Sequence, residues 1–502
     1  MTEEAQRETV AFLSDPKTHD GREVETITTH ASRIFMAGDR VYKLKRAVRY
    51  SYLDFSTVAL RRKSCAEELA LNRRTAPEIY LDVQPITRSA QGLQLGGSGE
   101  AIDWVVVMRR FPQEALFSHL AEAGALTPAL MRRLADRIAA FHHDAEVTSN
   151  FGGPGGVEQV IRINDENLRR DGPPEIATAE AEALTAAARK AAHDIAALLE
   201  QRRAAGRVRH CHGDLHLRNI CLIDGAPTLF DCLEFNPSLA SIDVLYDLAF
   251  LLMDLLHRGL RTEAAVVFNR YLDVSDESDG LAAIPLFLSL RAWVRAHVTA
   301  TAAKSGAGDA GEARRYFDLA GGFLKPQPPR LVSIGGFSGT GKSTIAAILS
   351  GRLAQAPARV LRSDVIRKRL FGAAPEQRLP GDAYSKDATA RVYAKLETEA
   401  GSAVAAGCSV ILDAVSAKAG ERAAFAALAE RLKVPFDGIW LEAPLEILRQ
   451  RVGARKNDAS DADLGVLERQ FGYDLGALDW HRVDASSTPD VVAEAALKAI
   501  SR

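Results

Sequence analysis

Hydrophobic and polar positions change rhythm along this chain, and the changes divide it. Glu25 to Phe35 and Val41 to Leu44 read as strands around the turn Ala37-Gly38-Asp39, which predicts a hairpin. Thr57 to Arg74 has a helical pattern, and Ala101 to Met108, with its run WVVVM, predicts another strand. Pro128 to His143 and Ala177 to Ala205 are long, Ala-rich and helical. Small β elements followed mostly by helix predict a two-lobed α+β domain. Beyond residue 330, short apolar strands at 331–335, 359–363, 409–413, 438–441 and, more weakly, 481–485 alternate with helices. That alternation is the mark of an α/β domain with a parallel sheet. Between the two lies Gly321 to Arg330, GGFLKPQPPR, where glycines and spaced prolines disfavour helix and suit an extended connector. The expected domains are 1–325 and 326–502. No internal repeat is evident, and the alanine richness of the helices is a compositional bias.

Composition changes this picture little. Of 502 residues, 47% are hydrophobic and 25% charged, as in an ordinary soluble globular protein, and the formal net charge of −2 gives no whole-chain reason to expect nucleic acid or anionic membrane. The start MTEEAQRETV lacks a signal peptide's basic and apolar regions. The most apolar stretch, Val244 to Leu256, is short for a span and carries Asp247 and Asp254. The expectation is a cytoplasmic protein without a membrane partner. Five cysteines, none in a CxxC pair, argue against a disulfide framework.

The run Gly336-Phe-Ser-Gly-Thr-Gly341-Lys342-Ser343 fits GxxxxGK[ST] in full, after an apolar strand and at a helix start. Glycines there let backbone N–H groups turn around phosphate oxygens, and the helix N-terminus adds positive potential. Gly336, Ser338, Gly339, Thr340, Gly341, Lys342, Ser343 and Thr344 are the expected nucleotide contacts, with Lys342 reaching the β- and γ-phosphates and Ser343 holding Mg²⁺. Asp364 ends the next strand, where a carboxylate can take a proton from an attacking hydroxyl or cap the helix from Val365 onward. Asp413 ends SVILD, where an Asp supports Mg²⁺. Arg451 and Arg455, four apart on a helical stretch, share a face, either closing over transferring phosphates or standing in solvent.

The earlier half carries His212-Gly-Asp214-Leu-His216-Leu-Arg-Asn219, with Asp214 and Asn219 five apart among apolar residues. In a kinase-like loop such an Asp takes the acceptor hydroxyl's proton and the Asn binds Mg²⁺. Asp231 closes the following β-like segment and can also hold Mg²⁺. Upstream, Lys43 sits in a strand-like segment, and the helix with Glu67 and Glu68 can supply its ion-pair partner. Zinc is the competing reading for His210, Cys211, His212 and His216, but no second cluster completes four ligands. Lys43, Lys45, Arg46 and Arg49 interleave with Tyr50 and Tyr52, which suits a strand near a phosphate site better than a nucleic-acid patch. Arg367-Lys368-Arg369 fits either an anionic acceptor or a solvated helix face. Asp243 and Asp247 are expected to be structural, capping the next helix and bonding the catalytic loop.

On these residues, about 25–320 resembles the aminoglycoside phosphotransferase family, with its protein-kinase-like fold, although no kinase-type GxGxxG is present. The resemblance implies Asp214 as catalytic base, Asn219 and Asp231 as Mg²⁺ ligands, Lys43 on the nucleotide phosphates and Glu68 orienting it, with Lys45 and Glu67 as adjacent alternatives. About 331–490 resembles the P-loop kinases of the polynucleotide-kinase, gluconate-kinase and zeta-toxin type. There Lys342, Ser343, Asp364, Arg451 and Arg455 match in order, and residues 455–462 look like a lid loop. The order of halves resembles bacterial proteins that fuse a phosphotransferase to an ATP-binding domain. The expected fold class is thus an N-terminal α+β bilobed protein-kinase-like domain and a C-terminal α/β P-loop domain. The expected function is a bifunctional ATP- and Mg²⁺-dependent phosphotransferase. Its first half would act on a hydroxyl of a small polar molecule. Its second would act on a sugar, a nucleotide or, less favoured, a nucleic-acid end. The alternatives are a catalytically silent regulatory half and an aminoglycoside resistance kinase. The latter would call for an acidic pocket, yet Asp273, Asp276, Glu277 and Asp279 are the main acidic cluster of 257–320.

Overall fold

The structure is a computed structural model and describes all residues except 1–5, 30, 51–52, 174, 235, 305, 307, 455–458 and 501–502. The chain divides into two compact units, residues 1–157 with 199–251, and residues 158–198 with 252–502.

The first unit is built on a six-stranded antiparallel sheet. Its strands run in the order Val24–Thr28, Ser32–Ala37, Arg40–Lys45, Glu100–Arg109, Tyr80–Ser89 and Gly92–Leu95. The expected hairpin forms, with Ala37 opposite Arg40 and Gly38 at φ 58°. The stretch Glu25 to Phe35 is not one strand: Val24–Thr28 and Ser32–Ala37 are separate strands paired antiparallel. The apolar run at 104–108 is buried on both faces. Val106 and Met108 pack with Tyr80 and Cys65 on one side, and Val105 and Val107 with Leu13, Phe35 and Leu44 on the other. Helix Val58–Asn72, capped by Thr57, lies on the first of these faces. After the sheet come helix Pro128–Asp144, strand Val208–His210 paired with Ser241–Asp243, and hairpin Ile220–Ile223/Ala226–Leu229.

The second unit contains a five-stranded parallel sheet in the order Arg359–Arg362, Val410–Asp413, Leu331–Gly335, Phe436–Glu442, His481–Asp484. All five match expected strands. Val332, Ile334, Ile411, Ile439 and Leu441 of this sheet pack against Ile345 and Leu349 of helix Lys342–Arg352 and Val492 and Ala496 of helix Pro489–Ile500. Helix Ile284–Lys304 lies in a stretch long and apolar enough to cross a membrane, but Phe287, Leu288, Leu290 and Trp293 are buried inside the protein.

The division into units does not fall near residue 326. Helix Arg261–Val274 packs against helix Lys342–Arg352 within the second unit. The connector is also shorter than expected, since Gly321 and Gly322 continue helix Ala310–Phe323 and only the stretch after Leu324 is irregular. The long pattern Ala177 to Ala205 forms two helices, Thr178–Asp194 and Ala196–Ala204, separated at Ile195.

Candidate active sites

In the first unit, strand alternation puts Lys43 and Lys45 on one face of Arg40–Lys45. Both meet Glu68 of helix Val58–Asn72, which is fully buried. Lys43 Nζ lies 2.7 Å from Glu68 Oε1 and 2.7 Å from Asp231 Oδ1. Lys45 Nζ lies 2.5 Å from Glu68 Oε2 and also pairs with Glu234. Glu67 points outward to Lys63. Burial alone would raise the Glu68 carboxyl, but the ammonium groups of Lys43 and Lys45 outweigh it and hold the group at about 2. Burial likewise opposes the charge on Lys43, and Asp231 and Glu68 overcome it and hold the ammonium well above its ordinary range. Burial pushes Glu234 up, against the pull of Lys45. No local pattern in the sequence marked Glu234, three residues past Asp231.

The loop 211–219 is braced from beneath. Asp247 accepts from the backbone N–H groups of His212 at 3.1 Å and Gly213 at 2.9 Å, and lies 3.1 Å from His142 Nε2. Asp243 accepts from the N–H of Leu245 and pairs with buried Arg202, so both Asp residues have the expected structural parts. Asn219 Nδ2 donates to Asp214 Oδ2 and to Asp214 O, each at 2.9 Å, which joins the two residues five apart in sequence. Asp231 adopts a left-handed backbone, φ 62°, uncommon for a residue with a side chain. Tyr80 Oη accepts from its N–H at 3.2 Å, and Asn72 Oδ1 accepts from the next N–H at 2.8 Å. Such a conformation persists where its surroundings over-determine it. Lys43, Glu68, Asp231, and the pair Asp214–Asn219 thus belong to one unit.

Among the described residues, the cluster best suited to a metal by ligand type is His142, Cys211 and Asp247, not the neighbouring His210, Cys211, His212 and His216. Its atoms are engaged otherwise: Asp247 with the loop and His142, and the Cys211 thiol with Ile242 O. Lys43 and Lys45 are spent on the interior network and form no nucleic-acid patch, and Tyr52 lies outside the described residues.

In the second unit, the loop 336–341 links strand Leu331–Gly335 to helix Lys342–Arg352. Gly336 has φ 140°, and a Cβ there would come within 2.6 Å of Leu441 O, so the loop needs glycine for both conformation and room. Lys342 Nζ donates to Gly336 O at 2.8 Å and Phe337 O at 3.1 Å. Thr340 Oγ1 donates to Phe337 O. Gln470, on helix Leu464–Phe471, accepts from the Ser338 N–H at 2.8 Å. Ser343 Oγ donates to Asp413 Oδ2 at 2.6 Å.

Ser338, Thr340, Lys342, Ser343, Asp413 and Gln470 line a cleft of about 1580 Å³ that also holds Gly339, Gly341, Thr344, Asp364, Arg367 and Arg451. Asp364 is not a helix cap. The cap position of helix Ser363–Leu370 is Arg362, and Asp364 sits in the first turn, hydrogen-bonded by Ser460. Burial raises its carboxyl, and with the added charge of Asp413 it outweighs the relief given by Arg362, Lys342 and Ser460. Arg451 donates to Ala485 O at 2.8 Å, so the loop after the last strand holds its guanidinium. Arg455 lies outside the described residues.

Two of the three residues in the basic run after Asp364 are buried, and Arg369 is exposed. Lys368 is buried on Asp461 at 2.6 Å, and Arg369 pairs with Glu399. Arg367, 7% exposed, donates to Ala383 O and stacks on Tyr384, while its Nε, buried, has no hydrogen-bond partner. Asp461, in the stretch expected to be a lid, also accepts from Leu379 N–H at 3.0 Å and Tyr384 Oη at 2.5 Å.

Comparison with known proteins finds a separate family match in each half of the chain. The profile described as "Phosphotransferase enzyme family" matches residues 54–284, and that described as "AAA domain" matches 331–473. An uncharacterized protein of Mycobacterium tuberculosis (strain ATCC 25618 / H37Rv) is 29% identical over 481 residues, 92% of each chain. Among solved structures, a choline/ethanolamine kinase family protein from Mesorhizobium loti is similar at 13% identity, covering 64% of this chain and 95% of that one, with TM-score 0.40. A gluconokinase from Sinorhizobium meliloti 1021 is similar at 18% identity, covering 35% of this chain and 94% of that one, with TM-score 0.27.

Proposed function

We propose that this chain, a kinase-type phosphotransferase that joins a phosphotransferase-family domain to a P-loop domain, transfers phosphoryl groups from ATP at two sites. The observation that carries the reading is that each unit holds its own complete set of groups. Asp214, Asn219, Asp231, Lys43 and Glu68 stand in the first, and Lys342, Ser343, Asp413 and Asp364 in the second. In the first, Asp214 accepts the proton of an acceptor hydroxyl, and Lys43, oriented by Glu68, binds the nucleotide phosphates. In the second, the loop 336–341 and Lys342 bind the phosphates, and Asp364 is the base.

Asn219 with Asp231, and Ser343 with Asp413, offer oxygen donors, the set that suits Mg²⁺. Mg²⁺ bound there would offset charge on the β- and γ-phosphates. Arg367 lies one helical turn beyond Asp364 on the same helix. Its guanidinium lines the same cleft, which supports an acceptor that carries an anionic group, such as a sugar acid or a nucleotide, at the second site.

Single variants test this directly. Asp214→Asn should cost ~10²–10⁴ in rate at the first site, the range for loss of a general base, while nucleotide still binds there. Lys342→Ala should lose nucleotide binding and turnover at the second site only. Each variant should keep the other site's ATP turnover, and the double variant should keep neither. If Lys342→Ala silences both, the second half is a regulator and the two-kinase reading fails.

A further inference from the structure

Helix Arg261–Val274 lies within the segment matched by the phosphotransferase profile, yet in the second unit it seals an edge of the P-loop sheet. Strand Arg359–Arg362 is that edge. Its Arg359 N–H turns inward to Ser409 O of the neighbouring strand's approach, so Ala358 O and Val360 N–H face away from the sheet. An edge strand leaves such groups unpaired unless something covers them. Here Asn269 covers them as a further peptide unit would. Its Nδ2 donates to Ala358 O at 3.0 Å and its Oδ1 accepts from Val360 N–H at 2.6 Å. The same carboxamide reaches Ser350 Oγ at 3.2 Å and accepts from Arg359 at 3.2 Å.

The surrounding contacts are as specific. Arg359, 2% exposed, pairs with Asp273 at 2.7 Å. Arg261 donates to Gly351 O and Ala354 O, the carbonyls at the end of helix Lys342–Arg352. A Cβ at Gly351 would come within 2.4 Å of Arg261 O, so the two helices touch at backbone distance. Arg270 pairs with Glu376 at 2.7 Å. Without this helix, Val360 N–H loses its acceptor, Arg359 loses Asn269 and Asp273, and Ala358 O keeps Ser350 Oγ, so the P-loop half would present an open sheet edge.

We propose that helix Arg261–Val274 is a docking element for the P-loop half of the same chain, and that Asn269 is its specificity-giving contact. The peptide connection at 324–330 is then not what holds the halves together. The test uses the full chain with a specific protease site inserted between Gln327 and Pro328, which are exposed. After cleavage, the two fragments should elute together at the mass of the intact chain. Asn269→Asp keeps the shape but sets a carboxylate against Ala358 O, and should weaken the association about tenfold or more, a loss of ~1.4 kcal/mol or greater. Near-UV circular dichroism of the uncleaved variant should match the parent, which separates lost docking from misfolding. In Arg270→Glu, the weakened association should be restored by Glu376→Arg. Fragments that separate without any substitution would overturn the proposal. So would fragments that stay together equally well in every variant.

Discussion

Ser343 Oγ donates to Asp413 Oδ2 across 2.6 Å, tying the first turn after the phosphate loop to the end of an inner strand of the parallel sheet. The bond orients a hydroxyl that, in the reading above, holds Mg²⁺ while the carboxylate behind it stays buried. Groups that orient a metal ligand typically cost 10–100-fold in metal affinity when removed. Ser343→Ala and Asp413→Ala should each weaken Mg·ATP binding at this site by roughly that factor, measured calorimetrically with the first site disabled. Binding of Mg-free nucleotide should change little. Equal losses with and without Mg²⁺ would remove both residues from the metal site.

The two lysines of strand Arg40–Lys45 divide their work. Lys45 is 1% exposed between Glu68 and Glu234, whereas Lys43 also reaches Asp231, whose side chain is 41% exposed. Removing Lys45 leaves buried Glu234 without its paired cation and Glu68 with Lys43 alone. Breaking a buried pair on one side typically costs ~3–5 kcal/mol, and Lys45→Met should lower the urea midpoint of the first unit accordingly. Adding Glu234→Leu should recover much of that loss. Lys43→Met leaves Glu68 still paired with Lys45, so it should spare stability and reduce nucleotide affinity. The reverse pattern would exchange the two assignments.

How far the sequence could be read follows from where each signal lies. HGDLHLRN and GFSGTGKS are local, so Asp214, Asn219, Lys342 and Ser343 were legible, as were the five parallel strands, each a short apolar run. Strand period explains why Lys43 and Lys45 could not be told apart: residues two apart share a face, and here both are inside. Glu67 and Glu68 are adjacent on a helix, and only the packing of Val58–Asn72 on the sheet shows which one is buried. Glu234, Arg367 and Asn269 depend on contacts with distant segments or on burial, so nothing in their neighbourhoods marks them. The expected boundary near 326 rests on glycines, prolines and the apolar strand that follows, which mark where the pattern changes and carry no information about which surfaces helix Arg261–Val274 covers.

Asp364 links acid–base chemistry to stability, and the signs can be worked out. Its carboxyl is raised above the ordinary value, first by burial and then by the nearby Asp413 charge. Between the unfolded value of about 3.9 and the raised folded value, the native state therefore binds more proton than the unfolded chain. Stability attributable to this group is present in acid and is lost as pH rises through that window. Above it, the ionised carboxylate remains a standing cost. Asp364→Asn, a neutral near-isostere, should therefore unfold at a higher temperature than the parent near pH 7, with the difference shrinking to nothing below about pH 3.9. A base must be ionised to accept a proton, so phosphoryl transfer at the second site should rise with pH along a limb set by the raised value, above that of an exposed aspartate. In Asp364→Asn the residual rate should lack that limb. An acid limb that survives in Asp364→Asn would assign the proton transfer to another group. A variant no more stable than the parent at any pH would show that the buried charge carries no cost.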